Sequence, residues 1–562
     1  MGASVASFLG YFERFKAVAV LHPALSTLLV VLTVGPAIMS AVSLWRGRPK
    51  AALWWAVFVA AASFCLSWGD DTHTHVFRIV ALSEQLRHGE LSLLLTNSVS
   101  GIALPTFVYY SLLPYVLPVA LNLIGIPAFI AYKVAGVLEF VVMALGLLSV
   151  AGKVTSRAGD NSKGSVGVLA AILFVSANYT YVLWTGRASL AEFWVFALIP
   201  WVVSCALSPR PWPGLILVFF LQAAAHPIVL GHSLLCEVPA VLGLARIGPF
   251  TAARRLLPPL VIALVIAIPF WLPPALWQDL IRGPAALPAN FQNSFLSIVR
   301  LFDPKSNRNI GPWIPFAVLA MIVVSRASLS WASWFLVASF AVMMGLQTVY
   351  LRPITVHIPT LELSLFIWRL MLPAAFLGFS AILLGWGEIA PDRRQALAVF
   401  AAISVLCMGV LCTLAGADYI PDVAEVKSDQ NERLAYDRDK ENSIWGIREY
   451  LPNQAKLSPS CPAAGDVAPA SFADLRKGFR AERPFVALER GPIGMVDYMA
   501  NGKVLSPGTC ETNIVLGPVE PGATVRVSES KLDWLLAVRL VELAGLGILL
   551  GFLGWRRTVS RG

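Results

Sequence analysis

Long apolar runs, separated by short polar or basic connections, follow one another along almost the whole chain. A run of roughly 17–25 apolar residues is long enough to cross the hydrocarbon core of a bilayer as an α-helix. By this rule we place about thirteen spans near residues 24–45, 52–67, 126–150, 164–182, 190–207, 212–230, 232–247, 256–274, 311–325, 331–348, 362–385, 395–415 and 533–555. The pattern therefore predicts an all-α polytopic membrane protein.

Basic residues gather in alternate connections between these predicted spans. One side of the membrane receives Arg46–Lys50, Lys153–Arg157, Arg210, Arg254–Arg255, Arg326, Arg393–Arg394 and Arg556–Arg561. Because cytoplasmic loops carry an excess of lysine and arginine, we assign this side to the cytoplasm. The stretch 4–19 then falls on the opposite side, where we predict an interfacial helix.

The longer polar segments all lie on the extracytoplasmic side in this arrangement. They are the first outer loop, 68–125, a second segment near 275–310, and the largest, 416–532. The largest contains strand-like stretches such as Phe485–Leu488 and Thr524–Ser528 among Pro, Gly and Ser. We therefore predict a transmembrane module over 1–415 that includes the first outer loop. A β-rich or mixed soluble domain over 416–532 and a final helix with a basic tail over 533–562 follow.

Composition agrees with a membrane protein. Hydrophobic residues make up 57% of the 562 residues and charged residues only 14%, whereas a soluble domain carries about 25% charged residues. The formal net charge of +10 is spread over short clusters between apolar runs rather than collected in one patch. This distribution argues against a nucleic-acid partner, which would need a continuous basic surface.

The cysteines divide into two groups. Five lie inside apolar runs, where cysteine behaves as a small hydrophobic residue: Cys65, Cys205, Cys236, Cys407 and Cys412. Cys461 and Cys510 lie in the long polar segment instead. They form either one disulfide, which requires an oxidising compartment, or two free thiols.

Several function classes lack their usual sequence signatures. The chain has no Walker A segment, no G-x-S-x-G, no H-E-x-x-H and no G-x-G-x-x-G ahead of a helix. ATP-driven export, serine hydrolysis and zinc proteolysis are therefore not indicated. No internal repeat supports an inverted-repeat transporter either.

The segment richest in chemistry opens the first outer loop. Asp70, Asp71, His73, His75 and Arg78 lie within nine residues at a predicted membrane boundary. Ionisable groups in such positions usually face a cavity and mark function. The pattern from Thr72 to Glu90 predicts a helix on which His75 and Arg78 share a face.

Two other interpretations of this segment are open. Asp70 or Asp71 could simply cap the following helix, although a cap requires only one of them. Asp70, Asp71 and His75 could instead ligate a divalent cation such as Mg²⁺ or Mn²⁺, although their spacing is no strict metal signature.

Four motifs resemble those of bacterial GT-C superfamily membrane glycosyltransferases. The first is "GDDTHTHVFRIVALSEQLRHGEL", in which Asp71, His75, Arg78 and Gly89 match an Asp before an H-x-x-R helix that ends at Gly. The others are "LPTFVYYSLLPYVLPVAL" with Tyr109 and Tyr110, "YVLWTGRASLAEFWVFALIP" with Arg187 and Glu192, and "LFIWRLMLP" with Arg369. The Arg187–Glu192 spacing is one residue longer than in the family, and the "REYLP" at 448–452 is also similar.

The resemblance implies transfer of a sugar from a polyprenyl-phosphate donor to an extracytoplasmic glycan, lipid or protein. It implies a bacterial inner membrane, an active site on its periplasmic side and no required cofactor, with a divalent cation as an option. A carboxylate would serve as general base, and arginines would hold the departing phosphate. Asp71 is the candidate base, with Asp70 as support or alternative. The candidate phosphate ligands are Arg78, Arg187, Arg282 and Arg369, and the candidate cavity residues are His73, His75, Tyr109, Tyr110, Glu192, His226 and His232.

Rival interpretations concern both single residues and the whole chain. Glu192 could be only a structural partner of Arg187, and His226 and His232 could be polar residues satisfied at a span end. The whole protein could be a transporter or flippase of lipid-linked glycans, or a non-catalytic scaffold of an envelope-glycan assembly. A flippase predicts charges deep in several spans, and a scaffold does not require the Asp70–Arg78 cluster.

Overall fold

A computed structural model describes most of the chain. The described residues are 15–67, 71–96, 103–157, 163–183, 187, 189–277, 280, 291–302, 310–325, 328–358, 361, 366–389, 395–417, 458–459, 461–488, 495–510 and 513–559. The chain divides into two compact units. The first unit combines Met1–Val76, Val116–Leu264 and Leu287–Asp437, and the second combines Phe77–Tyr115, Val265–Ala286 and Arg438–Gly562.

The regular secondary structure among the described residues of the first unit is helical, apart from one isolated β-bridge between Leu296 and Thr348. Its helices before the polar segment near 275–310 are α1 (Pro23–Trp45), α2 (Pro49–Cys65), the start of α3 (Thr72–Arg87), α5 (Val116–Leu123), α6 (Ala128–Arg157), α7 (Lys163–Val175), α8 (Asn178–Val182), α9 (Leu190–Ala206), α10 (Trp212–Ala225), α11 (Pro227–Ala245) and most of α12 (Pro249–Ile266). Those after it are α14 (Trp313–Ser325), α15 (Trp331–Gly345), α16 (Arg352–Thr355), α17 (Met371–Glu388) and α18 (Gln395–Ala417).

Six of the described helices are long and apolar enough to cross a membrane. They are Pro23–Trp45, Ala128–Ser156, Pro227–Ala245, Pro249–Ile266, Ile367–Glu388 and Gln395–Leu414. Seven further apolar helices of 10–17 residues are shorter. The mostly helical fold expected from the sequence is thus confirmed, with six candidate membrane spans among the described residues. The count of thirteen spans stays a prediction.

Four of the predicted spans differ in detail from the described helices. The span predicted near 256–274 is two helices, α12 and α13 (Ile268–Leu276). The second helix begins after Ala267, and Pro269 lies in its first turn, where a proline is tolerated. The boundary between the spans predicted at 212–230 and 232–247 falls at His226, and Pro227 begins α11. The last helix, α20 (Ser530–Val559), has the length of a span but is not among the six.

Helix α17 lies at the centre of the first unit. All its residues from Met371 to Gly387 are buried, and α7, α11, α14 and α15 pack against it. Gly378 permits this close packing, because a Cβ there would collide with the side chain of Ile314 on α14. A short 3₁₀ turn, Ile367–Leu370, leads into the helix and carries Arg369. The position of Arg369 is therefore set by the most buried helix of the unit.

The second unit contains the rest of the first outer loop and the C-terminal β domain. Helix α3 continues into a two-stranded ladder, β1 (Leu95–Thr96) with β2 (Ala103–Leu104), and α4 (Thr106–Tyr109) follows. The domain's strands are β3 (Ser458–Pro459), β4 (Val467–Ala470), β5 (Phe479–Arg480), β6 (Phe485–Leu488), β7 (Asp497–Ala500), β8 (Lys503–Leu505), β9 (Pro507–Cys510), β10 (Asn513–Leu516) and β11 (Thr524–Ser528), with helix α19 (Phe472–Lys477) between β4 and β5. They form two sheets in the orders β3-β9-β10-β6-β4 and β5-β11-β7-β8.

The β-rich domain predicted from the sequence is confirmed, with both predicted strands at the predicted residues. Strands β6 and β11 coincide with the stretches Phe485–Leu488 and Thr524–Ser528. Cys461 and Cys510 form a disulfide over a sequence separation of 49 residues. Of the two alternatives open for these cysteines, the structure therefore has the bridge.

Two arginines tie distant segments of the second unit together. Arg539 of α20 is buried, and its guanidinium donates to the carbonyl oxygens of Phe107, Val108 and Pro269. Arg476 of α19 pairs with Glu529 through two nitrogens and also donates to the Ser92 hydroxyl. The outer loop, α13, the β domain and α20 are thus joined by side-chain hydrogen bonds within one unit.

Candidate functional site

The helix that the sequence predicts after the acidic segment is present. Helix α3 covers Thr72–Arg87, and Asp71 is the residue before its first turn. Gly89 follows the helix with φ of 74°, a left-handed conformation that glycine adopts without strain. The predicted helix and its glycine stop are therefore present.

Two hydrogen bonds join the start of α3 to the segment that leads into α9. The backbone N–H of Asp71 donates to the carbonyl oxygen of Arg187 over 2.8 Å. The Nε2 atom of His75 accepts from the backbone N–H of Leu190 over 3.2 Å. These contacts bring Asp71 and Arg187 together although 116 residues separate them in the chain.

Glu192 is the centre of a buried ion cluster. Its Oε2 atom accepts from Arg187 Nη1 over 2.8 Å, and its Oε1 atom accepts from Arg369 Nη2. The side chain of Glu192 is 1% exposed, and that of Arg369 is 7% exposed. A buried carboxylate is tolerated when cations and hydrogen bonds compensate it, and the two guanidinium groups do so here. We call Arg187, Glu192 and Arg369 the arginine–glutamate cluster.

Exposure separates the two carboxylates of the site. Asp71 Oδ2 lies 3.5 Å from Arg187 Nη2, and its side chain remains 36% exposed. Glu192, in contrast, is enclosed by both arginines. Only Asp71 of this pair is accessible to a molecule arriving from outside, whereas Glu192 holds the arginines in place.

Aromatic and imidazole side chains surround the cluster. The Arg187 guanidinium lies 4.7 Å from the Trp368 ring centroid, and Trp368 packs edge to face against Tyr179 at 6.2 Å. His226 and His232 both interact electrostatically with Glu192 and Arg369. The structure thus gathers the predicted residues Asp71, Arg187, Glu192, His226, His232 and Arg369 into one site of the first unit.

Lys133 of α6 fixes the end of α2, from which the acidic segment starts. Its buried Nζ donates to the carbonyl oxygens of Phe64, over 2.7 Å, and Ser67, over 2.6 Å. The same ammonium lies 4.1 Å from the Phe64 ring centroid. Next to it, Tyr132 stacks on the His75 ring at 5.7 Å. These two neighbouring residues of α6 therefore support both chain segments that enter the site.

We expect Lys133→Met to lower the free energy of unfolding by about 2–4 kcal/mol, because two buried carbonyl oxygens lose a charged donor. The measurement is thermal or denaturant unfolding of the purified protein in detergent. Lys50→Met, at an exposed position at the start of α2, serves as the matched control. Equal stability of the two variants would contradict the anchoring role of Lys133.

The remaining predicted residues have other surroundings. Arg78 and Tyr110 belong to the second unit, where the Arg78 guanidinium lies 4.0 Å from the Tyr110 ring centroid and donates to the Tyr115 hydroxyl over 2.9 Å. The Tyr109 hydroxyl donates to the Trp277 carbonyl oxygen, and burial raises the pKa of Tyr109. The assignments of Arg78, Tyr109 and Tyr110 to substrate stay predictions.

Three predicted residues lie wholly or partly outside the described part of the chain. Asp70 and Arg282 lie outside the described residues, as does the side chain of His73. Within the described part of the chain, no three His, Cys, Asp or Glu side chains are grouped as metal ligands. The Nε2 atom of His75 accepts a backbone hydrogen bond. A divalent cation at Asp70, Asp71 and His75 stays a prediction.

Sequence reasoning missed Tyr179, Trp368 and Lys133. Trp368 directly precedes Arg369 in a motif already singled out, so a search for aromatic neighbours of the candidate arginines would have found it. Tyr179 and Lys133 lie inside apolar runs. A lysine inside an apolar run costs free energy unless its ammonium group has partners. Its presence in the run could therefore have indicated that Lys133 contacts polar groups of other segments.

No protein-family model and no curated protein matches the sequence. Among solved structures, the fold is similar to the cryo-EM structure of the arabinofuranosyltransferase AftD from mycobacteria. The TM-score is 0.43 and the sequence identity 14%, over 85% of this chain and 39% of that chain. The chain thus spans about two fifths of that protein's length. At this level of similarity, function has to be inferred from the side chains of the site.

Proposed function

We propose that this protein is a membrane glycosyltransferase that moves a sugar from a polyprenyl-phosphate donor to an extracytoplasmic glycan, lipid or protein. The observation that carries the proposal is the contact between an accessible carboxylate, Asp71, and a buried cluster of two arginines held by Glu192. A sugar transfer of this kind needs a base for the acceptor and cations for the leaving group, and the site combines both.

Asp71 is the general base in the proposed reaction. The oxygen of an acceptor hydroxyl attacks the anomeric carbon of the donor sugar, and its proton passes to the Asp71 carboxylate. A glycosidic bond forms while the bond between the anomeric carbon and the phosphate oxygen breaks. The products are the glycosylated acceptor, polyprenyl phosphate and the protonated Asp71, which returns its proton to solvent.

The arginine–glutamate cluster stabilises the leaving group. The donor phosphodiester carries one negative charge, and the departing phosphate monoester gains a second one as the bond breaks. Guanidinium groups bind such a phosphate through paired N–H donors. Because the extra charge develops only during the reaction, this contact strengthens toward the transition state and lowers the barrier.

Arg187 contacts both the proposed base and the carboxylate of the cluster that is proposed to bind the phosphate. Its Nη2 atom lies 3.5 Å from Asp71 and its Nη1 atom lies 2.8 Å from Glu192. When Asp71 takes up the acceptor proton, its negative charge disappears and its attraction for Arg187 weakens. Arg187 then interacts more strongly with the phosphate, just as the second phosphate charge develops.

Turnover of lipid-linked sugars tests the proposal. The purified protein is incubated in detergent with polyprenyl phosphates carrying arabinofuranose, mannose or glucose, and with oligosaccharides from a bacterial envelope as acceptors. We expect at least one donor to give equal amounts of polyprenyl phosphate and extended oligosaccharide. Movement of a lipid-linked glycan across a vesicle bilayer without any transfer would instead support the flippase and refute the proposal.

A further inference from the structure

His232 has an unusual position for a histidine with a structural role. It lies in the second turn of α11 and is 1% exposed. Neither of its ring nitrogens has a hydrogen-bond partner among the described residues. Buried polar groups almost always have partners, because losing the hydrogen bonds to water costs free energy. A group that departs from this rule next to a candidate active site suggests a ligand that supplies the partner.

The surroundings of the ring indicate what kind of ligand this is. Arg369 and Glu192 are close enough to interact with His232 electrostatically, and so is His226. Burial disfavours the charged imidazolium, and the Arg369 guanidinium opposes the attraction of the Glu192 carboxylate, so we consider the neutral ring. A neutral imidazole has one N–H donor and one acceptor nitrogen.

A phosphate diester matches this ring poorly, since it offers acceptors but no donor. Hydroxyl groups of a sugar match both nitrogens, since one hydroxyl can donate to the acceptor nitrogen while another accepts from the N–H. The ring also interacts electrostatically with Arg369, one of the two residues proposed to hold the phosphate to which the transferred sugar is attached. The sugar of the donor would therefore have a hydroxyl within reach of the ring when its phosphate is bound.

We propose that His232 is the part of the site that recognises the hydroxyl groups of the donor sugar. This inference rests on the proposed function and adds to it the residue that distinguishes a lipid phosphate with its sugar from the same lipid phosphate without it. The arginines bind the group that both lipids share, whereas His232 contacts only the group that is transferred.

Stability and binding together test this role through His232→Phe. A histidine with a structural role stabilises the fold, so its loss lowers the melting temperature. Phe is similar in shape and removes two buried atoms that have no hydrogen-bond partner among the described residues. We therefore expect the melting temperature to stay equal or to rise. We expect kcat/KM for the donor that the wild type accepts to fall about tenfold, as for the loss of one or two hydrogen bonds.

Polyprenyl phosphate without a sugar is the second probe. Its affinity, measured as inhibition of transfer, should be unchanged in His232→Phe and reduced in Arg369→Gln. His232→Asn, which keeps a donor and an acceptor, should recover part of the lost turnover. His357→Phe, at an exposed position of the same unit, is the matched control and should behave as the wild type.

The outcomes separate this inference from the proposed function. If the wild type transfers a sugar and His232→Phe does so at the same rate, the role of His232 is refuted and the glycosyltransferase stands. A lower melting temperature with unchanged turnover, or weaker binding of the sugar-free lipid, would likewise overturn it. If the wild type transfers none of the sugars, the proposed function itself fails.

Discussion

Asp71→Asn is expected to lower sugar transfer by about 10²- to 10⁴-fold, the contribution of a positioned general base. The amide has nearly the shape of the carboxylate but cannot accept the acceptor proton at neutral pH. The hydrogen bond that places residue 71 beside Arg187 uses its backbone N–H, so the substitution leaves that contact in place. The fold and the affinity for the lipid phosphate should therefore be retained while kcat falls.

The measurement is kcat and KM for the donor lipid, with binding of polyprenyl phosphate measured in parallel. Asp466→Asn, an exposed aspartate of the β domain, controls for the loss of one negative charge and should have wild-type activity. Asp71→Glu keeps a base but displaces it, and an intermediate rate is expected. Near-normal transfer by Asp71→Asn in correctly folded protein would exclude Asp71 as the base.

Glu192→Gln is expected to lower the free energy of unfolding by about 3–5 kcal/mol, the usual cost of removing one partner of a buried ion pair. Both Glu192 oxygens accept from arginines, and the carboxylate is almost fully buried. Without it, two guanidinium groups would lie close together, with the more exposed Asp71 as the carboxylate that pairs with Arg187 among the described residues. We expect low yields of folded protein and a large decrease in its melting temperature.

A second substitution tests whether the loss arises from the ion cluster. Arg369→Gln combined with Glu192→Gln removes one charge of each sign, and most of the lost stability should return. Transfer should remain impaired in the double variant, because a phosphate ligand is missing. Glu520→Gln and Arg246→Gln, at exposed positions, are controls with an expected change below about 1 kcal/mol. If Glu192→Gln is as stable as the controls, Glu192 does not hold the arginines in the way proposed.

Several features around the candidate site could be predicted from the sequence because they are local. The helix after Asp71 follows from its apolar spacing, and its glycine stop follows from a conformation that glycine adopts most easily. Arg187, Glu192 and Arg369 could be selected because an ionisable group at the end of an apolar run costs free energy unless it has a partner or a functional role. The distances between them could not be predicted, since 177 residues separate Glu192 from Arg369.

The number and the boundaries of the spans could not be predicted from the apolar pattern alone. Apolar composition identifies membrane helices well, because lipid leaves the backbone few alternatives. It does not fix where one helix ends and the next begins when prolines interrupt the run, as in α12 and α13. Arg539 in α20 is satisfied by three carbonyl groups from other segments, and no pattern within α20 reveals them.

By itself, the sequence determined the helical membrane character, the β-rich C-terminal domain and the residue types available for chemistry. These properties depend on runs and alternations of neighbouring residues, which are read directly along the chain. Only the tertiary structure decided the surroundings of the two carboxylates, since it encloses Glu192 between two arginines and leaves Asp71 more exposed. Burial and charge pairing are set by residues that are distant in the chain, and no local pattern contains that information.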